Sequence, residues 1–137
     1  MKTLNSAILR LAQAIGYPDG VPEGAASFTF RVDGREMTAV ESGGRLVLRV
    51  VLQAEPADDL VERLAGYAVG RMLKEEATLA WDPELDALIL WQAVPAQAAD
   101  GVLRRFFEVF ATSADWWFAR ARDDEAVSSI PEMVIRP

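Results

Sequence analysis

Apolar residues open the chain at helical spacing: Leu4, Ile8, Leu11, Ala12 and Ile15. An apolar side chain every three to four positions marks one face of a helix, so this segment predicts an amphipathic helix. Gly16 suits its C-terminal cap, because glycine adopts the left-handed conformation there without steric cost. Tyr17-Pro18-Asp19-Gly20 then supplies turn chemistry. Next the period drops to two. Phe28, Phe30 and Val32 alternate with Thr29 and Arg31, the mark of a half-buried strand. Asp33-Gly34 is a favoured two-residue hairpin turn, and residues 35–41 return as a second strand. Ser42-Gly43-Gly44 turns the chain again into a third strand over 45–53. On that strand Leu46, Leu48, Val50 and Leu52 form one solid face, while Val47 and Val51 stand with Arg49 on the other.

Pro56 breaks the strand pattern, and Asp58 or Asp59 is placed to cap a second helix reaching about residue 73. Its apolar positions are Leu60, Val61, Leu64, Tyr67, Ala68, Met72 and Leu73, with Val69 off to one side. That arc is wider than one buried face requires. Gly66 and Gly70 lie four apart on this helix, each costing about 1 kcal/mol relative to alanine. Close approach by a neighbour would offset the cost, and the neighbour is either the chain's own sheet or a second copy. Residues 78–81 and 86–94 read as a strand pair around Asp82-Pro83-Glu84. In the second of these, Leu88 and Leu90 point one way and Ile89 and Trp91 the other, so the strand should be covered on both sides or lie beside a partner. After Pro95 a long helix is predicted over 100–121, with Leu103, Phe106, Phe107, Phe110, Ala114 and Trp117 as its buried stripe and Trp116 at its periphery.

The order helix, three strands, helix, two strands, helix predicts an α+β fold, a largely antiparallel twisted sheet with helices packed on it. Its 137 residues fit one domain, placed at 1–121, with a polar and mobile tail over 122–137.

Composition narrows the chemistry. The chain has no histidine and no cysteine. This removes the usual general base, the commonest zinc ligand and thiolate chemistry together. A serine–lysine pair has only Lys2 and Lys74 to draw on. The acidic groups Asp58/Asp59, Glu75/Glu76 and Asp123/Asp124/Glu125 fall at element ends, and no spacing sets two acids across a cleft. No calcium-loop or phosphate-loop pattern occurs. The expectation is therefore no enzymatic activity and no cofactor or metal. The net charge of −7 and a pI near 4.6 disfavour nucleic acid and anionic membrane surfaces and favour basic partners. Asn5, Ser6, Arg10 and Gln13 interrupt the first apolar segment, so it does not read as a signal peptide, and no run approaches the ~20 residues of a membrane span. Cytoplasmic location is the default expectation.

Taken together, the pattern resembles the class I type III secretion chaperones, the Tir chaperone-like family. The element order, size and acidity carry the likeness, as does the second half: Leu79-Ala80-Trp81-Asp82, the turn, Ala87-Leu88-Ile89-Leu90, Val94-Pro95, then the aromatic helix with Trp116-Trp117. Met72-Leu73-Lys74-Glu75 and the Gly66/Gly70 pair depart from the family's usual pattern. The resemblance implies a homodimer that holds the N-terminal segment of a secreted effector in extended form, keeps it soluble and presents it to the secretion apparatus. Surplus apolarity places effector binding at Leu4, Ile8, Leu11, Phe28, Phe30 and Val32, and the dimer interface at Tyr67, Met72, Leu79, Trp81 and Ile89. The alternative is a regulatory, anti-activator-like module that binds a folded partner.

Overall fold

The computed structural model describes residues 7–17, 20–22 and 26–128. Helix α1 (Ala7–Ile15) leads into strands β1 (Ser27–Val32), β2 (Arg35–Ser42) and β3 (Arg45–Ala54). Helix α2 (Asp58–Met72), strands β4 (Thr78–Asp82) and β5 (Ala87–Pro95) and helix α3 (Asp100–Ser128) follow. The local chemistry explains most of the boundaries. At the end of α1, Gly16 has φ 72°, the Gly16 N–H donates to the Gln13 carbonyl (3.2 Å) and the Tyr17 N–H to the Ala12 carbonyl (2.9 Å). These are the paired bonds of a glycine-capped helix end. The first two hairpin turns each use two residues at positive φ, Asp33-Gly34 and Gly43-Gly44, which suits the twist of antiparallel strands.

Two expectations change. Ala57, not an aspartate, is the N-cap of α2 and makes no side-chain cap bond; Asp58 and Asp59 sit in the first turn. There they meet the positive end of the helix dipole. Helix α3 runs past residue 121 to Ser128, into the segment expected to be a tail. No glycine or proline interrupts the sequence between Gly101 and Pro131, so nothing local stops it.

The sheet is antiparallel throughout, in the order β1-β2-β3-β5-β4. One core joins its inner face to all three helices. Phe30, Met37, Ala39, the Leu46–Leu48–Val50–Leu52 row, Leu88, Leu90 and Val94 meet Ile8 and Leu11 of α1, Leu64 and Ala68 of α2, and Leu103, Phe107, Phe110, Ala114 and Trp117 of α3. The opposite sheet face carries no helix among the described residues. Of its apolar members, Ile89 is buried, Val40, Val47 and Trp91 are half-buried and Val51 is exposed, and Arg49 reaches Asp82 there at 3.5 Å. The two-sided cover expected of β5 is thus not supplied by the described part of the chain.

Long-range polar contacts fix α1 on this frame. The Ala7 N–H donates to Glu41 Oε1 of β2 (3.1 Å), supplying a free helix N-terminal N–H with a carboxylate. Arg10 Nε donates to Asp100 (3.1 Å), and its Nη groups donate to the Ala96 carbonyl (3.0 Å) and the Ala98 carbonyl. Arg10 therefore ties α1 to the β5–α3 connection. Arg10→Ala is expected to lower stability by about 1–3 kcal/mol, since it frees two carbonyls and an acid at once. A urea unfolding curve checks this.

Candidate protein-binding surfaces

Among the described residues strand β1 is an edge of the sheet, and the outward backbone groups of Ser27–Val32 have no strand beside them. The Arg31 N–H points outward and is met by the Tyr17 hydroxyl at 3.2 Å. The alternation of an antiparallel strand then turns Thr29 and Ser27 outward too. Tyr17 also packs edge-on against Phe28 and Phe30, with ring centroids 6.0 and 4.9 Å away, and Phe30 continues to Phe107 at 6.1 Å. Beside this cluster lies a hollow of about 430 Å³ whose lining includes Ile15, Tyr17, Val32 and Phe107. The result is an open strand edge flanked by aromatic and aliphatic side chains.

The residues expected to bind an effector separate by depth. Ile8, Leu11 and Phe30 are completely buried and belong to the core of the chain itself. Helix α1 packs mainly on α3 and β2, and Phe30 packs on Phe107 and Tyr17, all within one core, so these three present no surface in this conformation. Phe28 and Val32 are half-buried and stay reachable along β1. Leu4 lies outside the described residues.

The second surface is α2. Its inner face is anchored by Leu64 and Ala68. Its outer face carries Gly66, Val69, Gly70 and Leu73, the last just past the helix end, a progression of three, four and seven positions that lines one stripe. Val69 is 72 % and Leu73 86 % exposed. A Cβ built on Gly66 or Gly70 would meet nothing within 4 Å. The glycines therefore do not serve close packing on the chain's own sheet, the first of the two readings offered above.

The expected dimer residues do not form one patch. Tyr67 turns toward α3, where it stacks edge-on against Trp116 at 5.7 Å. The Arg71 and Arg120 guanidinium groups lie over the Trp116 ring at 3.9 and 4.9 Å. Leu79 and Trp81 are cross-strand partners of Leu90 and Leu88 on the helix-bearing face, and Trp81 is 47 % exposed. Ile89 pairs with Ala80 and is buried on the opposite face. Strand alternation thus keeps Ile89 apart from Leu79 and Trp81. Met72 closes α2, and its side chain is outside the described set. Val69 and Leu73 were missing from the expected interface. The available signal was Val69 standing off the buried stripe beside the glycine pair.

Among the described residues no three acidic side chains gather as metal ligands would, and no helix is long and apolar enough to cross a membrane.

A family model described as the Tir chaperone protein (CesT) family matches residues 6–117. No curated protein matches the chain. Three solved structures are similar. The HopA1-SchA chaperone-effector complex aligns at TM-score 0.65 and 18 % identity, over 86 % of this chain and 92 % of that one. The ExsC-ExsE complex aligns at 0.64 and 14 %, over 82 % and 89 %. The ExoT-SpcS complex from Pseudomonas aeruginosa aligns at 0.63 and 16 %, over 83 % and 96 %. At such identities the likeness establishes a shared fold.

Proposed function

Because the chain belongs to the Tir chaperone protein (CesT) family, we propose that it is a non-enzymatic type III secretion chaperone, cytoplasmic and homodimeric, for the N-terminal segment of a secreted effector. The observation that carries this reading is the β1 edge. Its outward peptide groups match those of an extended segment, and Phe28, Val32 and Tyr17 beside it offer apolar contact. A segment held this way gains main-chain hydrogen bonds and hides alternate apolar side chains from water. Ordering it costs conformational entropy, so the apolar contact has to be extensive. The similar structures bring the same fold in complexes, one of them named a chaperone-effector complex. The net charge of −7 keeps such a complex soluble and favours clients with basic segments.

The second copy is proposed to bind through the outer stripe of α2. Val69 and Leu73 would be covered there, and Gly66 and Gly70 would let the two backbones approach closely.

The test of effector binding is co-expression with the proteins encoded beside this chain, followed by limited proteolysis of the purified complex. The expected result is a protected, N-terminal stretch of one such partner that stays non-globular. Phe28→Asp together with Val32→Asp is expected to weaken the complex by a factor of about 100 or more, since a desolvated carboxylate costs several kcal/mol. Circular dichroism verifies that the variant folds. A partner bound as a folded domain, or one retained by the double variant, would overturn this reading.

A further inference from the structure

We propose that Tyr17 is a displaceable plug on the β1 edge, its hydroxyl holding the place of a client carbonyl and its ring the place of a client side chain. Strand alternation turns the peptide N–H groups of Ser27, Thr29 and Arg31 outward. Among the described residues only that of Arg31 is met, by the Tyr17 hydroxyl oxygen at 3.2 Å. An oxygen accepting there does what the carbonyl of a neighbouring strand would do. The ring lies edge-on to Phe28 and Phe30, with centroids 6.0 and 4.9 Å away, and Phe30 is completely buried. One side chain thus meets both requirements of an added strand, a backbone acceptor and an apolar contact.

The attachment of Tyr17 suits a part that moves. Its own backbone is fixed: Gly16 at φ 72° turns the chain off α1, and the Tyr17 N–H donates to the Ala12 carbonyl at 2.9 Å. Its side chain is held more lightly. The hydroxyl bond lies at the surface, where water replaces either partner at little cost. The ring borders the hollow of about 430 Å³ that Val32 and Phe107 also line, so rotation about its side-chain bonds has space to turn into. While the plug is in place, the open part of the edge is limited to Ser27 and Thr29. An unblocked edge is a template for unwanted pairing, and the plug shortens it. A segment that extends its pairing to Arg31 has to displace the hydroxyl, supply a carbonyl in its place and bring an apolar side chain to Phe28. Tyr17 thereby discriminates against segments that end short of Arg31 or bring a polar side chain there.

The inference rests on the reading that an extended client pairs with β1, and it adds the group within the chain that competes with that client. The probe is a synthetic peptide of the protected segment recovered from the co-expressed complex. Its affinity for the full parent chain and for Tyr17→Phe is measured by calorimetry, and backbone amide exchange is followed by residue. Tyr17→Phe keeps the ring and should melt close to the parent. Without peptide, the Arg31 amide is expected to exchange about three- to tenfold faster in the variant, the worth of one hydrogen bond. With peptide, the Thr29 and Arg31 amides are both protected in both chains. The peptide binds Tyr17→Phe about three- to tenfold more tightly, because the free variant lacks the bond that binding has to break. Equal Arg31 exchange in the two free chains, equal or weaker binding to the variant, or a peptide that protects Thr29 and leaves Arg31 as in the free chain overturns the plug and leaves the effector reading standing. A peptide that binds neither chain, or no protected segment at all, overturns both.

Discussion

A chain carrying Val69→Glu and Leu73→Glu is expected to sediment as a folded monomer at concentrations where the parent is expected to sediment as the proposed dimer. Both side chains project from the outer stripe of α2 and touch little of their own chain, so the fold should not suffer. In a two-fold contact each copy would bring both, and burying four aliphatic side chains is worth about 1.5–3 kcal/mol apiece before the costs of association. The substitution removes that gain and sets like charges against each other across the axis. A rise in the dissociation constant of about a thousandfold or more, equivalent to about 4 kcal/mol, is the expected result. Analytical ultracentrifugation across a dilution series reads it. The glycines provide an independent arm. Alanine at Gly66 and Gly70 should raise the stability of an isolated helix face by up to about 1 kcal/mol each, because neither Cβ meets an obstacle within the chain. If two α2 helices cross there, the same pair of methyl groups weakens the dimer. Parent-like dimerisation in both variants would remove α2 from the interface.

The second large effect is expected in the core. Trp117 is fully buried on α3, stacked near Trp116 with ring centroids 5.2 Å apart. Trp117→Ala should cost about 3–5 kcal/mol, because the surrounding helices and sheet cannot close so large a cavity. Trp117→Phe should cost much less than its lost volume suggests. The indole Nε1–H is buried without an acceptor among the described residues, and removing it relieves a group that is expensive to leave unpaired. Guanidinium unfolding of the two variants side by side checks both statements. Equal destabilisation by Phe and Ala would show that the indole nitrogen is in fact satisfied.

Both predictions concern α2 and α3, the helices whose sequence was easiest to find and hardest to orient. The stripe from Leu103 to Trp117 is long, aromatic and strictly periodic, so its burial was legible without coordinates. The apolar arc of α2 was legible too, but an arc wider than one face does not say which part is inside. The sheet and α3 decided that by occupying Leu64 and Ala68, and Val69 and Leu73 were left outside.

The same distinction holds for the candidate sites. The alternation of Phe28, Phe30 and Val32 with polar neighbours fixed a strand and its apolar face, and the positive-φ turns at Asp33-Gly34 and Gly43-Gly44 fixed the hairpins, since these are properties of neighbours in sequence. The absence of histidine and cysteine was likewise complete in the sequence. What α1 packs against is not local. Ile8 and Leu11 looked like an open surface until the fold brought α1 onto α3 and β2, and Ile89 looked like part of one interface until pairing put it across the sheet from Trp81. Strand order came only from the tertiary structure, because the sequence does not say that β5 enters between β3 and β4. The order leaves β1 at one edge, as the β1-β2-β3 meander alone would, and the insertion of β5 makes β4 the other. Periodicity along the chain settles which faces are apolar; packing between distant segments settles which of those faces remain open to another protein.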